Sequence, residues 1–376
     1  MITTRSVIDE SALIIDAKDA YRPMIESLIQ NFKCFADLSV RGLGKVNVVV
    51  GDNASGKTAL LEAAYLSQLT SPQLVQKTKT WRGMGPSAEF PMNREGYESQ
   101  WKNLFFEQKQ GLAIELEATG NLENTRKVRA FYDTKATIEV TKDDDSPAAD
   151  SSAIIPIVFE VTDSAGVVHS LMGPMGPFVI QQKQPSPLNS QAAFYPSTYA
   201  TAVPAEEATK QFADMDVMGS SDFISQAVQD VFPRVSNLSP AKIGGAWLLF
   251  CKVPELREKI PVHQVSSGIH KLIALLAGIA AQENGAVMID EIDNGFYFKV
   301  LPKVWEVLHR VASHFKVQLI VSTHSREGLQ AILPTLRKAK EDFRLIRVEI
   351  RGKKHVAKVF GGKDFEAALE TETEVR

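Results

Sequence analysis

The fold of this chain is decided by one stretch of its sequence, Val46-Asn47-Val48-Val49-Val50-Gly51-Asp52-Asn53-Ala54-Ser55-Gly56-Lys57-Thr58. The valines before Gly51 predict a buried strand, and the segment TALLEAAYLSQL that starts at Thr58 predicts a helix. Between them, GDNASGKT matches the pattern GxxxxGK[ST]. Glycines let consecutive backbone N–H groups turn inward around a phosphate, and a helix start adds positive potential. The order strand, glycine loop, helix therefore predicts a phosphate-binding loop.

In a loop of this kind the lysine reaches the β- and γ-phosphates and the hydroxyl residue holds Mg²⁺. Lys57 and Thr58 occupy these two positions. We therefore predict ATP and Mg²⁺ as ligands, bound by Asn53, Ala54, Ser55, Gly56, Lys57 and Thr58. The alternative is a glycine turn beside an exposed lysine.

A second buried strand is predicted at Ala286–Ile289, and it ends in two carboxylates, Asp290 and Glu291. Phosphoryl transfer depends mostly on positioning and on charge stabilisation. We predict that Asp290 completes the magnesium shell and that Glu291 polarises the attacking water. On its own, a strand that ends in Asp-Glu is more often a solvated strand end.

A third buried strand, in VQLIVSTHS, ends just before His324. Because ligands gather at the carboxyl ends of parallel strands, the strand ends after Val50, Ile289 and Val321 are expected to meet at one edge of a sheet. His324 could sense the γ-phosphate or its water there, or it could simply cap a turn. The helix VLPKVWEVLHRVASHF between the last two strands predicts a β-α-β unit with near-adjacent parallel strands.

An apolar helix is predicted over 266–282, and Ser266-Ser267-Gly268 lies at its start. Hydroxyls and free N–H groups at a helix start can bind an anion. Alone, Ser-Ser-Gly is first of all a helix cap. Its place ahead of the Asp-Glu strand is what favours a ligand role.

Composition excludes several classes of protein. The chain has 376 residues, 44% of them hydrophobic and 23% charged, with 42 Lys+Arg against 45 Asp+Glu. This is ordinary globular composition, so the bulk of the chain is not disordered. The longest apolar stretch is about half of what a membrane-spanning helix needs, so we expect no membrane segment. The first residues show no secretion signal, and two cysteines make no disulfide framework, so a cytoplasmic location is expected.

The order of the motifs resembles the ATP-binding-cassette (ABC) superfamily, specifically its SMC-, RecF- and OLD-like ATPases. MIESLIQNFKCFADLSV leading into KVNVVVGDNASGKTALLEA is similar to the opening strands of the family, and IDEIDNGFYFKVLPKVWEVL and LIVSTHSREGLQAIL are similar to its later elements. The closing segments resemble short OLD-type ATPases, many of them from antiviral systems. The implied fold is α/β: a P-loop NTPase core of the ABC type with a mixed parallel sheet, an antiparallel β subdomain and a helical subdomain.

The resemblance implies a homodimer, or a higher homo-oligomer, in which two copies hold nucleotide head to tail. The phosphate loop of one copy would face Ser267 and Gly268 of the other, and Asp293-Asn294-Gly295 would lie in the loop that contacts the second copy. Glu291 would be the general base and His324 the switch histidine. The sequence departs from the family pattern at two places, and the first implies a weaker contact with the second copy. The signature lacks the second glycine and the glutamine of LSGGQ, and the lid glutamine has no clear position, with Gln181 or Gln182 as candidates and Gln182 preferred.

We divide the chain into an N-terminal extension, 1–23, and an ATPase domain, 24–376. Within the domain, 24–70 is the phosphate-loop lobe and 71–240 a divergent β-rich and helical insert. Residues 241–335 form the lobe with the signature, the Walker B strand and the switch histidine, and 336–376 form a basic hairpin and an acidic tail.

The leading functional hypothesis is an ATP-hydrolysing dimer that regulates a separate nuclease or toxin, in antiviral defence by analogy alone. No room is left after His324 for the nuclease domain of full-length OLD proteins, so any nuclease is expected to be another chain. Two alternatives stay open, a RecF- or SMC-like DNA-repair ATPase and a scaffold that binds nucleotide without hydrolysing it. Residues 336–363 carry ten lysines and arginines against three acids, which could be a nucleic-acid face or a solvated helix and hairpin that balance the acidic tail.

Overall fold

The computed structural model describes residues 27–68, 74–75, 78, 94–119, 125–139, 153–163, 166–173, 176–181, 192–197 and 205–371. The predicted N-terminal extension, 1–23, lies outside these residues. Among the described residues, none of the helices has both the length and the apolar character needed to cross a bilayer.

Within the described residues, the strands form two large and two small sheets. Their bounds are β1 Ser27–Phe32, β2 Phe35–Val40, β3 Val46–Val50, β4 Ile114–Thr119, β5 Thr125–Tyr132, β6 Ile138–Glu139, β7 Ala153–Ile154, β8 Ile157–Asp163, β9 Gly166–Gly173, β10 Gly176–Gln181, β11 Ala192–Tyr195, β12 Ser236–Ile243, β13 Ala246–Lys252, β14 Ile260–Pro261, β15 Ala286–Ile289, β16 Gln318–Ser322, β17 Phe343–Arg351 and β18 Lys354–Gly361.

In the part of the chain that the structure describes, the helices of more than three residues are α1 Lys57–Leu66, α2 Arg94–Trp101, α3 Ala205–Val217, α4 Ser221–Val231, α5 Val262–Val265, α6 Ser267–Ala280, α7 Leu301–His314, α8 Arg326–Gln330, α9 Leu333–Lys338 and α10 Gly362–Glu370. Three of them, α1, α6 and α7, agree with the helices predicted above to within a few residues at each end.

The central sheet has six strands in the order β11-β15-β16-β3-β17-β18. The first five are mutually parallel, and β18 closes the edge as the antiparallel partner of β17. The adjacent, parallel pairing of β15 and β16 confirms the predicted β-α-β unit. The parallel strands β3, β15 and β16 end at the same edge, as the sequence predicts.

Both faces of the central sheet are buried, which explains the unbroken apolar runs. In β3, Val46, Val48 and Val50 belong to the core cluster formed with α3, α4, α6 and α7. Val49 faces the opposite cluster, which contains α1 and the first strands of the antiparallel sheet. The amide of Asn47 is fully buried, and its Nδ2 donates to the carbonyls of Gly44 at 2.8 Å and Leu319 at 3.0 Å.

A second large sheet covers α1. Its seven antiparallel strands run β10-β9-β8-β5-β4-β1-β2. Residues of β1 and β4 pack in the same core cluster as α1. The smaller antiparallel sheet β12-β13-β14 packs against α3 and α4. The α/β fold class with its P-loop core, antiparallel β part and helical part is thereby confirmed.

Candidate functional site

The carboxyl ends of β3, β15 and β16 bring the predicted site residues together. The phosphate-binding loop follows β3, Asp290 and Glu291 follow β15, and His324 follows β16. The adjacent positions of β15, β16 and β3 in the sheet place these three segments side by side. The structure therefore joins residues that lie up to about 270 positions apart in the chain.

The loop 51–56 turns tightly enough to require glycine at two positions. Gly51 has φ +148° and Gly56 has φ +103°, values that residues with a Cβ rarely adopt. A Cβ on Gly51 would overlap the carbonyl oxygen of Val348, and one on Gly56 would lie 2.9 Å from the Cys34 Sγ atom. The loop leads directly into α1, so backbone N–H groups without an intrahelical acceptor lie beside it.

Lys57 folds back over the loop. Its Nζ donates to the carbonyl oxygens of Gly51 at 2.7 Å and Asp52 at 2.9 Å. Burial lowers the pKa of the Lys57 ammonium, against the opposing influence of the nearby Asp290, Glu291 and Asp52 carboxylates. The cationic end of Lys57 thus lies within the electrostatic reach of the Asp-Glu pair.

Hydrogen bonds to Asp290 connect the three segments to one another. The Thr58 hydroxyl donates to Asp290 Oδ2 at 2.9 Å, and the Ser322 hydroxyl donates to Asp290 Oδ1 at 2.5 Å. The backbone N–H of Asp290 donates to the Tyr195 carbonyl at 2.8 Å. Asp290 is 5% exposed, so these bonds fix the carboxylate in a nearly closed environment.

Glu291 follows Asp290 at the same edge, and its backbone is in the left-handed region, with φ +49°. Its N–H donates to the Ser322 hydroxyl at 2.9 Å. One carboxylate oxygen, Oε2, accepts from Asn294 Nδ2 at 2.5 Å, and the other, Oε1, lies 3.5 Å from His324 Nδ1. Glu291 and His324 are thus neighbours, and both side chains keep access to solvent.

The signature segment begins α6 as predicted. Ser266 is the N-cap, and its hydroxyl accepts from the N–H of Gly268 at 3.2 Å. Ser267 is exposed, whereas Gly268 is buried against the backbone of Gly295. The cap interpretation of Ser-Ser-Gly therefore holds for Ser266 and leaves the exposed Ser267 available to a ligand.

Two further residues of the site were missed at the level of sequence. Ser322 bridges Asp290 and Glu291, and the buried Lys271 donates to backbone carbonyls of the loop that follows Glu291. A serine at a strand end is a recognisable signal for Ser322. Nothing marks Lys271, because a lysine in a helix normally indicates a solvated face. Gln182, the preferred lid glutamine, lies outside the described residues, and Gln181 ends β10.

A known protein family and a curated protein are similar to the part of the chain that carries these site residues. A family model described as "AAA domain, putative AbiEii toxin, Type IV TA system" matches residues 206–329, which contain Ser267, Asp290, Glu291 and His324. A curated relative, an "ATP/GTP phosphatase" from Helicobacter pylori (strain ATCC 700392 / 26695), is 20% identical over 340 residues. The match covers 85% of this chain and 90% of the relative.

Solved structures of SMC head domains are also similar. A complex of an SMC head with the C-winged helix domain of ScpA matches with a TM-score of 0.48 and 14% identity, over 93% of this chain and 100% of that one. A Smc head with an extended coiled coil, bound to the C-terminal domain of ScpA and derived from Pyrococcus furiosus, gives 0.46 and 11%, over 94% and 100%. The SMC head of Thermotoga maritima gives 0.42 and 12%, over 90% and 98%.

Proposed function

We propose that this chain is an ATPase of the ABC type that binds MgATP at the loop 51–58 and hydrolyses it with Glu291 as the general base. The observation that carries the proposal is the 2.9 Å hydrogen bond between Thr58 Oγ1 and Asp290 Oδ2. It places a hydroxyl from the phosphate-binding loop against a carboxylate from a different strand. A hydroxyl and a carboxylate are the oxygen ligands that Mg²⁺ prefers.

The residues present fit a bound triphosphate. The Ser55 hydroxyl is buried inside the loop and has no hydrogen-bond partner among the described residues. An unsatisfied buried hydroxyl costs free energy, and a phosphate oxygen would satisfy it. Asn53, Ala54 and Gly56 offer backbone N–H groups, and Lys57 offers an ammonium whose pKa is lowered by burial. Thr58 and Asp290 would hold Mg²⁺, which supplies charge neutralisation at the phosphates.

In the proposed reaction Glu291 accepts a proton from the attacking water. Its two carboxylate oxygens are oriented by Asn294 and His324, one on each side. His324 is 46% exposed at the side chain and stays free to contact the γ-phosphate side of the site. In this arrangement Glu291 and His324 are the catalytic residues, and Ser322 and Asn294 orient them.

We further propose that two copies close head to tail on the nucleotide. The 14-residue helix α6 begins at the exposed Ser267, and the first turn of a helix attracts anions. Ser267 and Gly268 of one copy would contact the γ-phosphate bound in the other. Gln182 is proposed as the lid residue of the same site.

By analogy with short OLD-type ATPases, we propose an effector role in which this chain controls a separate nuclease or toxin in the cytoplasm, in antiviral defence. The matching family description names a putative toxin of a Type IV TA system. The DNA-binding alternative is less well supported, because part of the basic segment is neutralised within the chain. Arg337 pairs with Glu366 and Glu370, and Lys340 also pairs with Glu366. These pairs join α9 and the turn after it to α10, where the acidic tail begins.

Steady-state hydrolysis and nucleotide retention test the proposal on four variants. Lys57→Ala should lose bound ATP, whereas Glu291→Gln should keep ATP, hydrolyse it at least a hundredfold more slowly and shift to a dimer in light scattering. The exposed Lys303→Ala and Glu283→Gln are the matched controls and should behave as wild type. If wild-type turnover is no faster than that of Glu291→Gln, the protein is a nucleotide-dependent scaffold instead.

A separate variant tests the head-to-tail arrangement. Ser267→Glu puts a carboxylate where the partner's γ-phosphate would lie, so the dimer should fail to form while each copy still binds ATP. A dimer of Ser267→Glu as tight as that of wild type, formed in the Glu291→Gln background, would rule out the shared site and leave ATP binding by single copies.

A further inference from the structure

The side chain of Lys271 is buried in the interior of the molecule. It is 2% exposed, although it lies in the first turns of α6. Its Nζ atom donates to the carbonyl oxygens of Asn294 at 2.6 Å and Ile292 at 3.2 Å, with a longer contact of 3.4 Å to that of Glu291. An ammonium has three N–H groups, so all of them are directed at one short loop. Lysine is almost never buried to this extent without such partners.

The loop that Lys271 binds is the one that carries Glu291. Its backbone leaves β15 and enters the left-handed region at Glu291, which is an unfavourable conformation for a residue with a Cβ. Such a conformation persists only when the surroundings determine it. The Ser322 hydroxyl binds the N–H of Glu291, and Lys271 binds the carbonyl side of the same loop.

The start of α6 is packed directly on this loop. A Cβ on Gly268 would lie 2.9 Å from the carbonyl oxygen of Gly295, so the two backbones are in close contact. The Nζ atom of Lys271 also lies 5.2 Å from the centre of the Phe296 ring, within the range of a cation–π interaction. The segment that carries Ser267 and the loop that carries Glu291 are thus held together by one buried side chain and one glycine contact.

We propose that Lys271 is a positioning residue that ties Ser267–Gly268 to the Glu291 loop, so that contact of Ser267 with a phosphate on a second copy sets the position of Glu291 in its own site. This inference rests on the proposed head-to-tail arrangement. The nucleotide bound to one copy would then influence the position of Glu291 in the site of the other copy. Lys271 touches neither phosphate nor water itself and acts through the loop.

Lys271→Met tests the proposal, because methionine keeps most of the length of the side chain and removes all three N–H donors. The variant should bind MgATP within threefold of wild type and keep its KM. Its kcat should fall at least tenfold, and the dependence of rate on ATP should lose its cooperativity. Lys303→Met, on the exposed face of α7, is the matched control and should match wild type. A kcat within twofold of wild type would overturn the proposal.

Amide hydrogen exchange supplies a readout that needs no hydrolysis. The N–H groups of Glu291, Ile292 and Asn294 should exchange at least tenfold faster in Lys271→Met than in Lys303→Met. Unchanged exchange would overturn the positioning role whether or not the wild type is an ATPase. Absence of wild-type turnover, with faster exchange in the variant, would instead contradict the proposed function and leave the positioning role intact.

A second variant covers the case in which Lys271→Met does not fold. Lys271→Gln retains two N–H donors on a shorter side chain, and its kcat and exchange rates should lie between those of wild type and Lys271→Met. Glutamine values equal to wild type in both assays would count against the role of the buried ammonium.

Discussion

Removal of the Ser322 hydroxyl should disturb both carboxylates of the site at once. Ser322 is fully buried, donates to Asp290 at 2.5 Å and accepts from the Glu291 N–H at 2.9 Å. A hydrogen bond to a charged group contributes about 1.5–3 kcal/mol, and a buried N–H left without a partner costs about 1–3 kcal/mol. Ser322→Ala should therefore lower the free energy of unfolding by about 3 kcal/mol or more, since both effects add.

The catalytic consequence of Ser322→Ala should appear mainly in the magnesium dependence. Loss of a group that orients a metal ligand costs roughly 10–100-fold in metal affinity. We expect the Mg²⁺ concentration for half-maximal ATPase activity to rise by that order, with partial recovery of the rate at high Mg²⁺. Urea unfolding and a Mg²⁺ titration of turnover measure the two effects.

Ser313→Ala is the matched control for this prediction. The Ser313 hydroxyl lies in α7, is buried and has no hydrogen-bond partner among the described residues. Its removal should leave the free energy of unfolding unchanged or raise it, because no hydrogen bond is lost and a buried hydroxyl without a partner is removed. If Ser322→Ala were as stable as Ser313→Ala and kept the magnesium dependence of wild type, the bridging role assigned to Ser322 would be refuted.

Two further predictions concern stability. Burial lowers the pKa of Lys271 from its ordinary 10.5 to about 8, so below pH 8 the full burial cost is present, and it is relieved as the pH rises towards 10.5. The free energy of unfolding of wild type minus that of Lys271→Met should therefore increase by up to about 1.4 kcal/mol per pH unit between pH 8 and 10.5, and a flat difference in urea titrations would contradict the shift. A Cβ on Gly278 in α6 would overlap the Tyr195 hydroxyl, so Gly278→Ala should destabilise the protein by about 1–3 kcal/mol. Gly111 has open space around it, so Gly111→Ala should not destabilise the protein. Equal midpoints of the two variants in thermal unfolding would exclude the close contact at Gly278.

The sequence was sufficient to predict the elements that have strong local patterns. The valine run before Gly51 indicates a strand buried on both faces, and the glycine spacing of the loop is the consequence of backbone angles that only glycine adopts readily. Parallel connection rules then place the ends of β3, β15 and β16 at one edge. Asp290 is the first residue after β15, and Thr58 is the second residue of α1. The position of Asp290 beside Thr58 follows from these rules.

The rest of the site depends on contacts between distant segments that no local pattern encodes. Lys271 looks like a surface lysine, because its burial is determined by the carbonyls of the loop after Glu291, twenty residues later. The left-handed backbone at Glu291 is similarly imposed by Ser322 and Lys271 and is not a preference of glutamate. The segment boundaries proposed for the domain stay predictions, as do the roles given to the site residues, from the catalytic roles of Glu291 and His324 to the ligand roles of Ser267 and Gln182.

The two-sided burial of β3 limits how this protein can respond to its ligand. Each face of β3 packs in a different hydrophobic core, so the strand cannot tilt without opening one of the two cores. The phosphate-binding loop that follows β3 is therefore held in a fixed position. The seven-stranded antiparallel sheet, by contrast, shares only one of those cores. We therefore expect that any rigid-body movement after nucleotide binding begins in the antiparallel sheet. The parallel strands of the central sheet should stay in place.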